Sequence, residues 1–308
     1  MRVLDLLKRK GSGTQSVSEV PWFDKPDARD LLEGRRRLER LSDEDYALLK
    51  KWMTDGYCAV SGLIPEEQID AMARDMDQIW TAGRPIKGLQ ILDLLLEPQT
   101  PLRNLSHAEL LAIEPEERFK VREASHWRVH GFYLFSQHAR KIFENRELIR
   151  LASLILGCPA EPTFTINFTY GSEQALHQDT AVFHVEPRNY LVGAWLACED
   201  ISPEAGPLVF YPGSQREPLF PKFDNYPQTN LRTAQNTQEY SDYVAQCSQR
   251  YERKLYDARK GDIFLWHGML IHGGSEVSDK HKTRRSYVCH YIPPGMDVSA
   301  KVKGPFNW

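Results

Sequence analysis

The feature that most limits what this chain can fold into is a change of texture at Gly157. Before it, apolar residues recur at helical spacing. After it come short runs rich in β-branched and aromatic residues: PTFTINFTY, HQDTAVFHV, YLVGAWLACE, PLVFYPGS, KLYDARK, GDIFLW, MLIHGG and RRSYVCHYI. Gly, Pro, Asp and Ser separate these runs, and that punctuation predicts a β-sandwich or barrel. One gap, residues 215–252, is too long for a hairpin and contains the helical stretch TQEYSDYVAQCSQRY. A long insertion of this kind is expected to act as a lid or substrate-facing element; the other reading is a surface excursion that packs on its own aromatics. It would bring Phe220, Phe223, Tyr226, Tyr240 and Tyr243 to wall a pocket, and Arg216, Lys222 and Arg232 to meet an anionic group.

Upstream the pattern is helical. Ser42 is a good N-cap with Asp45 three residues on, and Leu48, Leu49, Trp52 and Met53 form one apolar face before Gly56 ends the helix. YCAVSGLI follows as an extended segment. Pro65 then opens a second helix with Ile69, Met72, Met76 and Ile79 in register. Further helices are expected over 107–114 and 137–156. The resulting division is a partly loose extension over 1–40, one domain over 41–295 (helical 41–157, β core 160–295) and a tail over 296–308.

Composition removes several function classes. A net charge of −3 gives no electrostatic reason to bind nucleic acid. The run Arg35, Arg36, Arg37 is flanked by Glu33 and Glu39, as on a solvated helix face. Five scattered cysteines with no CxxC pair argue for reduced thiols and against a zinc ribbon or disulfide framework. No stretch approaches the ~18 apolar residues of a membrane span, and the N-terminus lacks a signal-type segment, so no membrane insertion and a cytoplasmic location are expected. GxSxG, HExxH and phosphate-loop motifs are absent from the sequence, which removes the common hydrolase and nucleotide-binding readings.

The chemistry gathers in HQD at 177–179. On a strand, His177 and Asp179 would project to one side and Gln178 to the other. An imidazole and a carboxylate side by side, joined by a distant histidine, make a facial triad with open coordination positions, as Fe(II) oxygenases require. Alone, H-x-D is a weak signal. Downstream, GDIFLWHGMLIHGG offers His267 and His272, which are five apart, so only one of them should reach a metal. His272 is preferred because Gly273 and Gly274 lead from it to Arg284 and Ser286, an i, i+2 pair of cation and hydroxyl. A guanidinium grips a carboxylate bidentately, and the serine can add a third hydrogen bond, which suits the distal carboxylate of 2-oxoglutarate.

Taken together, DGYCAVSGLI, LHQDTAVF, VGAWLACEDISPEAGPLVFYPGS and GDIFLWHGMLIHGG…TRRSYVCHY resemble the phytanoyl-CoA dioxygenase-like branch of the 2-oxoglutarate oxygenases, over about residues 43–292. The resemblance implies a mainly β fold: a double-stranded β-helix (a cupin-like jelly roll) with N-terminal helices packed against it. It implies that His177, Asp179 and His272 ligate Fe(II), that Arg284 binds 2-oxoglutarate, and that Trp195 lines the co-substrate pocket. Arg128, in WRVHGF, sits where the family has a basic residue near 2-oxoglutarate. Relatives that halogenate carbon replace the carboxylate by a small residue, so the presence of Asp179 implies oxidation instead.

Other polar residues have two readings each. His184 and Arg188 either face substrate or are structural, and Tyr211 is either at the pocket mouth or a core tyrosine. His130 and Trp127 enter only as neighbours of Arg128. His281 reads as solvated and Asp262 as a turn residue. The function expected is hydroxylation of a C–H bond of a small-molecule substrate, with O2 consumed and succinate and CO2 released. The alternatives are desaturation, epoxidation or ring formation at the same iron, or a catalytically silent metal-binding jelly roll. No basic site for the phosphates of coenzyme A is evident, so the substrate class stays open.

Overall fold

A computed structural model describes residues 18–181, 183–222, 234–296 and 298–300, with the side chains at 184, 234–236 and 298–300 outside that description. Its helices are α1 (Ala28–Leu38), α2 (Asp43–Asp55), α3 (Glu66–Gln78), α4 (His107–Ala112), α5 (Pro115–Ala124), α6 (Gln137–Phe143), α7 (Arg146–Leu156) and α8 (Ala234–Ser248). The strands preceding the HQD motif are β1 (Tyr57–Val60), β2 (Gln90–Leu94), β3 (Arg103–Ser106), β4 (Arg128–His130) and β5 (Glu161–Phe168). Those after it are β6 (Phe183–Val185), β7 (Val192–Ala197), β8 (Leu208–Phe210), β9 (Lys254–Leu255), β10 (Ile263–His267), β11 (His272–Gly274), β12 (Ser286–Ile292) and β13 (Val298–Ala300).

The strands form a large antiparallel sheet, β1-β10-β7-β12-β5-β4-β2-β3, and a small one, β11-β8-β9. This is the jelly-roll arrangement expected, with helices on the outer face of the large sheet. Side-chain alternation explains the layering. On β7, β10 and β12, Val192, Ala194, Leu196, Ile263, Leu265, Tyr287, Cys289 and Tyr291 pack in the cluster shared with the helices. Their neighbours Trp195, Ala197, Phe264, Trp266 and Val288 point the other way and meet Leu208 and Phe210 of the small sheet. Both faces are buried, which is why these strands read as nearly continuous apolar runs. The site lies in the inner layer.

Local signals behave as physical chemistry requires. Ser42 Oγ accepts from the Asp45 amide, and Gly56 closes α2 at φ +76°. The helix expected over 137–156 is two helices, because Asn145 accepts from the amides of Glu147 and Leu148 and caps a new start. Strands β2, β3 and β4 interrupt the region read as helical; they extend the large sheet from the edge of β5.

The extension over 1–40 also departs from expectation. Among its described residues, Trp22 and Phe23 are buried in the main core and the Trp22 indole donates to the Ile155 carbonyl at 2.7 Å. An adjacent pair of large aromatics buries too much apolar area to stay in water. No described helix is long and apolar enough to cross a membrane. Trp22→Ala is expected to cost about 3–5 kcal/mol in urea denaturation. A loss below about 1 kcal/mol would mean that this segment is not part of the cooperative core.

Candidate metal centre

His177 and His272 are set opposite each other by the backbone. The His177 amide donates to the His272 carbonyl at 2.9 Å, and the His272 amide returns the bond at 3.1 Å. Such a reciprocal pair fixes two side chains on one side of a ladder. HQD is not the regular strand that the sequence suggests: the bridge at His177 leads at once into a 3-10 turn, Asp179–Ala181. That turn is tied down by the Thr180 amide and hydroxyl, both donating to the Gly268 carbonyl at 3.0 and 2.6 Å, and by Gln178 Nε2 donating to Met269 O at 3.0 Å. Asp179 is thereby returned to the side of His177, as expected, by a different backbone route.

The three side chains converge. Asp179 Oδ1 lies 3.6 Å from His177 Nε2 and 3.6 Å from His272 Nε2. The three potential ligand atoms lie within 4.8 Å of one another, and all three residues are buried. Nδ1 of His177 is 2.8 Å from the Ala175 carbonyl and Nδ1 of His272 is 2.9 Å from the Leu270 carbonyl. A carbonyl only accepts, so both Nδ1 atoms carry the proton and both Nε2 atoms present a lone pair. Two imidazole lone pairs and a carboxylate oxygen facing one point repel one another unless a cation sits among them. The donor set, two nitrogens and one oxygen, fits a divalent transition metal with open positions.

Burial, reinforced by His177, pushes the His272 imidazole down to about 4, so it is neutral near pH 7 and ready to ligate. Burial would raise the Asp179 carboxyl, but at the low pH where it titrates the imidazoles of His272, His177 and His290 act as proton-bearing partners that outweigh burial and hold the group well below the usual range.

His267 points elsewhere. Its Nδ1 accepts from the Met269 amide at 2.9 Å, and its Nε2 donates toward Asp24 Oδ1 at 3.2 Å. β10 ends at His267 and β11 begins at His272, so a turn separates the two histidines, not a continuous strand.

From the triad a cleft of about 600 Å³, including its open mouth, runs between the sheets to Arg284. Trp195, Phe168, Leu208 and Val288 give it apolar walls. Arg284 is buried, donating to the Gly206 carbonyl at 3.2 Å and to Ser172 Oγ at 3.4 Å. It has no carboxylate partner and its Nε is without a hydrogen bond among the described residues. Burial, with Arg128 nearby, pulls its pKa down to about 10. Ser286 is buried on the same face of β12 as Val288, and its hydroxyl has no partner among the described residues; it does not line the cleft.

The remaining expected residues are not at the cleft wall. Arg128 is buried across Phe168 from Arg284, but its Nε lies 2.6 Å from Asp93 Oδ2, so its charge is already compensated. His130 is on β4 outside the lining, with its pKa pushed down to about 3 by burial and by Arg128. Tyr211 packs in a separate core cluster with Val209, Phe220, Tyr240 and Ile271. The side chain of His184 lies outside the described residues, as do Phe223, Tyr226 and Arg232.

The same cluster holds the described aromatics of 215–252. Phe220 and Tyr240 are core residues there, with Tyr243 packed against them, and no described residue of the segment lines the cleft. The Tyr240 hydroxyl instead accepts from the Gln178 amide at 3.0 Å, bracing the HQD turn from behind. Sequence reasoning also missed two residues that touch the triad. Trp266 Nε1 donates to Asp179 Oδ2 at 2.8 Å, and His290 Nε2 lies 3.0 Å from the same oxygen. The only available signal was their parity on β10 and β12, which turns both toward the inner layer.

A family model described as "Phytanoyl-CoA dioxygenase (PhyH)" matches residues 52–286. The "Phytanoyl-CoA dioxygenase domain-containing protein 1" of Danio rerio is 29% identical over 141 residues, covering 45% of this chain but only 44% of the relative. The Bos taurus protein of the same name is 23% identical over 293 residues, 84% of this chain and 92% of the relative. Among solved structures, the non-haem alpha-ketoglutarate-dependent carbocyclase SnoK from nogalamycin biosynthesis superposes with TM-score 0.59 at 14% identity, covering 86% of this chain and 89% of that one. The epimerase SnoN in complex with Fe3+, alpha-ketoglutarate and nogalamycin RO gives 0.57 at 15%, covering 86% and 91%.

Two outcomes are expected. His272→Ala removes divalent-metal binding measured by equilibrium dialysis, whereas His267→Ala retains it; the reverse would reassign the site. In the metal-stripped protein, His272 has a folded pKa of about 4 against an ordinary 6.5, so the unfolded chain binds the extra proton first. Stability therefore falls as pH drops from about 6.5 to 4, and His272→Gln flattens that segment of the denaturation profile. An unchanged profile in the variant would contradict the assignment.

Proposed function

The chain belongs to the phytanoyl-CoA dioxygenase family of iron- and 2-oxoglutarate-dependent oxygenases, and from that premise we propose that it hydroxylates a C–H bond of a small organic substrate, releasing succinate and CO2. The observation that carries the proposal is the pairing of two unfinished sites in one cleft: a three-atom donor set at one end and, at the other, a buried guanidinium with no carboxylate partner among the described residues.

In this reading His177, Asp179 and His272 hold Fe(II), each through one atom. The metal and 2-oxoglutarate, when bound, supply the oxidising power that cleaves the substrate C–H bond with O2. Arg284 takes the distal carboxylate of 2-oxoglutarate, and the Gly206 carbonyl and Ser172 hydroxyl keep the guanidinium aimed along the cleft. Trp195, Phe168, Leu208 and Val288 enclose the carbon chain and exclude water, which strengthens the ion pair at its end. Leaving a guanidinium buried and uncompensated is costly, and a bound dicarboxylate removes that cost. Arg128, neutralised by Asp93, is a supporting charge and not the clamp.

A second outcome at the same centre has a specific motivation. Structural relatives are described as a carbocyclase and an epimerase, so one fold of this type hosts several oxidative results. Ring formation, desaturation or epoxidation is the alternative for this chain, and the substrate decides. The free cysteines Cys58, Cys158, Cys198, Cys247 and Cys289 fit the proposed cytoplasmic location.

Succinate formation from 2-oxoglutarate with Fe(II) and O2, without any substrate, separates an oxygenase from a silent metal-binding jelly roll: slow uncoupled turnover is expected, and none at all would favour the silent module. Arg284→Ala is expected to weaken 2-oxoglutarate binding by about 2–5 kcal/mol while leaving metal binding intact, read by titrating the visible charge-transfer band anaerobically. Equal affinity in variant and parent would assign the clamp to another cation.

A further inference from the structure

The Asp179 carboxylate is held unequally. Oδ1 faces the two imidazole Nε2 atoms at 3.6 Å. Oδ2 is turned away and meets the Trp266 indole N–H at 2.8 Å and His290 Nε2 at 3.0 Å. A carboxylate oxygen has two lone pairs, so two N–H donors saturate it. Because an ionised carboxylate can only accept, His290 donates from Nε2; its Nδ1 has no partner among the described residues.

The two donors are built into the sheet. Trp266 on β10 and His290 on β12 are both paired in register with Gly193 on β7, which lies between them. A Cβ on Gly193 would overlap the six-membered ring of Trp266, so the missing side chain is what lets the indole lie across β7 toward Asp179. On the other side, His290 is paired with Phe164 of β5 and stacks on its ring at 4.4 Å and 12°. Phe183 flanks the same imidazole at 4.8 Å. One cross-strand row, Trp266, Gly193, His290 and Phe164, thus forms a rigid cradle for a single oxygen atom.

We propose that this row fixes the number of atoms Asp179 gives to the metal at one, with Trp266 and His290 as positioning residues. A carboxylate freed from these donors could swing Oδ2 inward and chelate through both oxygens, as carboxylates do elsewhere. That would occupy one of the positions a facial triad leaves open. Each N–H therefore protects a coordination position from the protein's own ligand, and partners of this kind orient a ligand without touching the metal. The inference rests on the triad being a metal centre, which the parent protein tests by itself.

The experiment uses Mn(II) alone as probe and counts its exchangeable waters by pulsed EPR in 17O-water, with no turnover involved. Trp266→Phe combined with His290→Leu is expected to bind Mn(II) with one water fewer than the parent. Gly193→Ala, which pushes the indole off its place, is expected to show the same direction of change. His290→Gln, which restores an N–H donor at similar reach, should return the parental count in the Trp266-containing protein. Should the double variant not fold, Trp266→Phe alone keeps a ring in the cavity and is expected to show a partial loss. A parental water count in the folded double variant, or in Trp266→Phe alone when the double does not fold, overturns the proposal. Loss of Mn(II) with the fold intact also overturns it, because the row is assigned the mode of ligation and not metal retention. Failure of the parent to bind Mn(II) would instead refute the metal centre.

Discussion

The reciprocal backbone pair between His177 and His272 is the constraint on which the rest of the site depends. It joins the segment that follows β5 of the large sheet to β11, an edge strand of the small one. It also brings two imidazoles together, with ring centroids 4.4 Å apart and the rings tilted by 48°. Neither histidine could be so placed by a local turn, since 94 residues separate them along the chain. The 3-10 turn after His177 then only has to carry the chain back far enough for Asp179 to join them, and bonds to Gly268, Met269 and Tyr240 hold it there.

Around that pair the protein separates electrostatic tasks by burial. The triad concentrates electron-rich atoms, and Arg284 concentrates positive charge at the far end of the same cleft. Both would be unfavourable in a finished core, and low dielectric magnifies each. They are complementary to a metal ion and to a dicarboxylate reaching from that ion to the guanidinium. Elsewhere a buried charge of the same kind is quenched on the spot: Arg128 is paired with Asp93. The contrast between compensated and uncompensated buried charge is what distinguishes site from scaffold here.

Much of this was legible in the sequence. The nearly continuous apolar runs after Gly157 announce the strands because both sheet faces are buried, and the triad residues stand out because H-x-D and a distant histidine carry a chemistry. β2, β3 and β4 did not announce themselves. QILDL, RNLS and RVH are short and partly polar, and they are strands only because β5 offers them an edge. The roles of Trp266 and His290 were hidden for a related reason: each depends on a contact with Asp179, 87 and 111 residues away. Arg128 and Arg284 have the same chemistry on paper, and only the position of Asp93 tells them apart. In 215–252 the sequence allows both a pocket wall and a packing of the segment's own aromatics, and among the described residues Tyr240 and Phe220 are in a small core.

The central claim is that the triad and Arg284 are two ends of one ligand site. Thermodynamic linkage tests it directly: if a single 2-oxoglutarate molecule contacts both metal and guanidinium, each must raise the other's affinity by the same factor. Calorimetric titration of 2-oxoglutarate with and without Mn(II), and of Mn(II) with and without 2-oxoglutarate, measures both sides of that cycle. Equal and favourable coupling of about 5- to 150-fold, or 1–3 kcal/mol, is expected. Metal and 2-oxoglutarate binding independently of one another would contradict it.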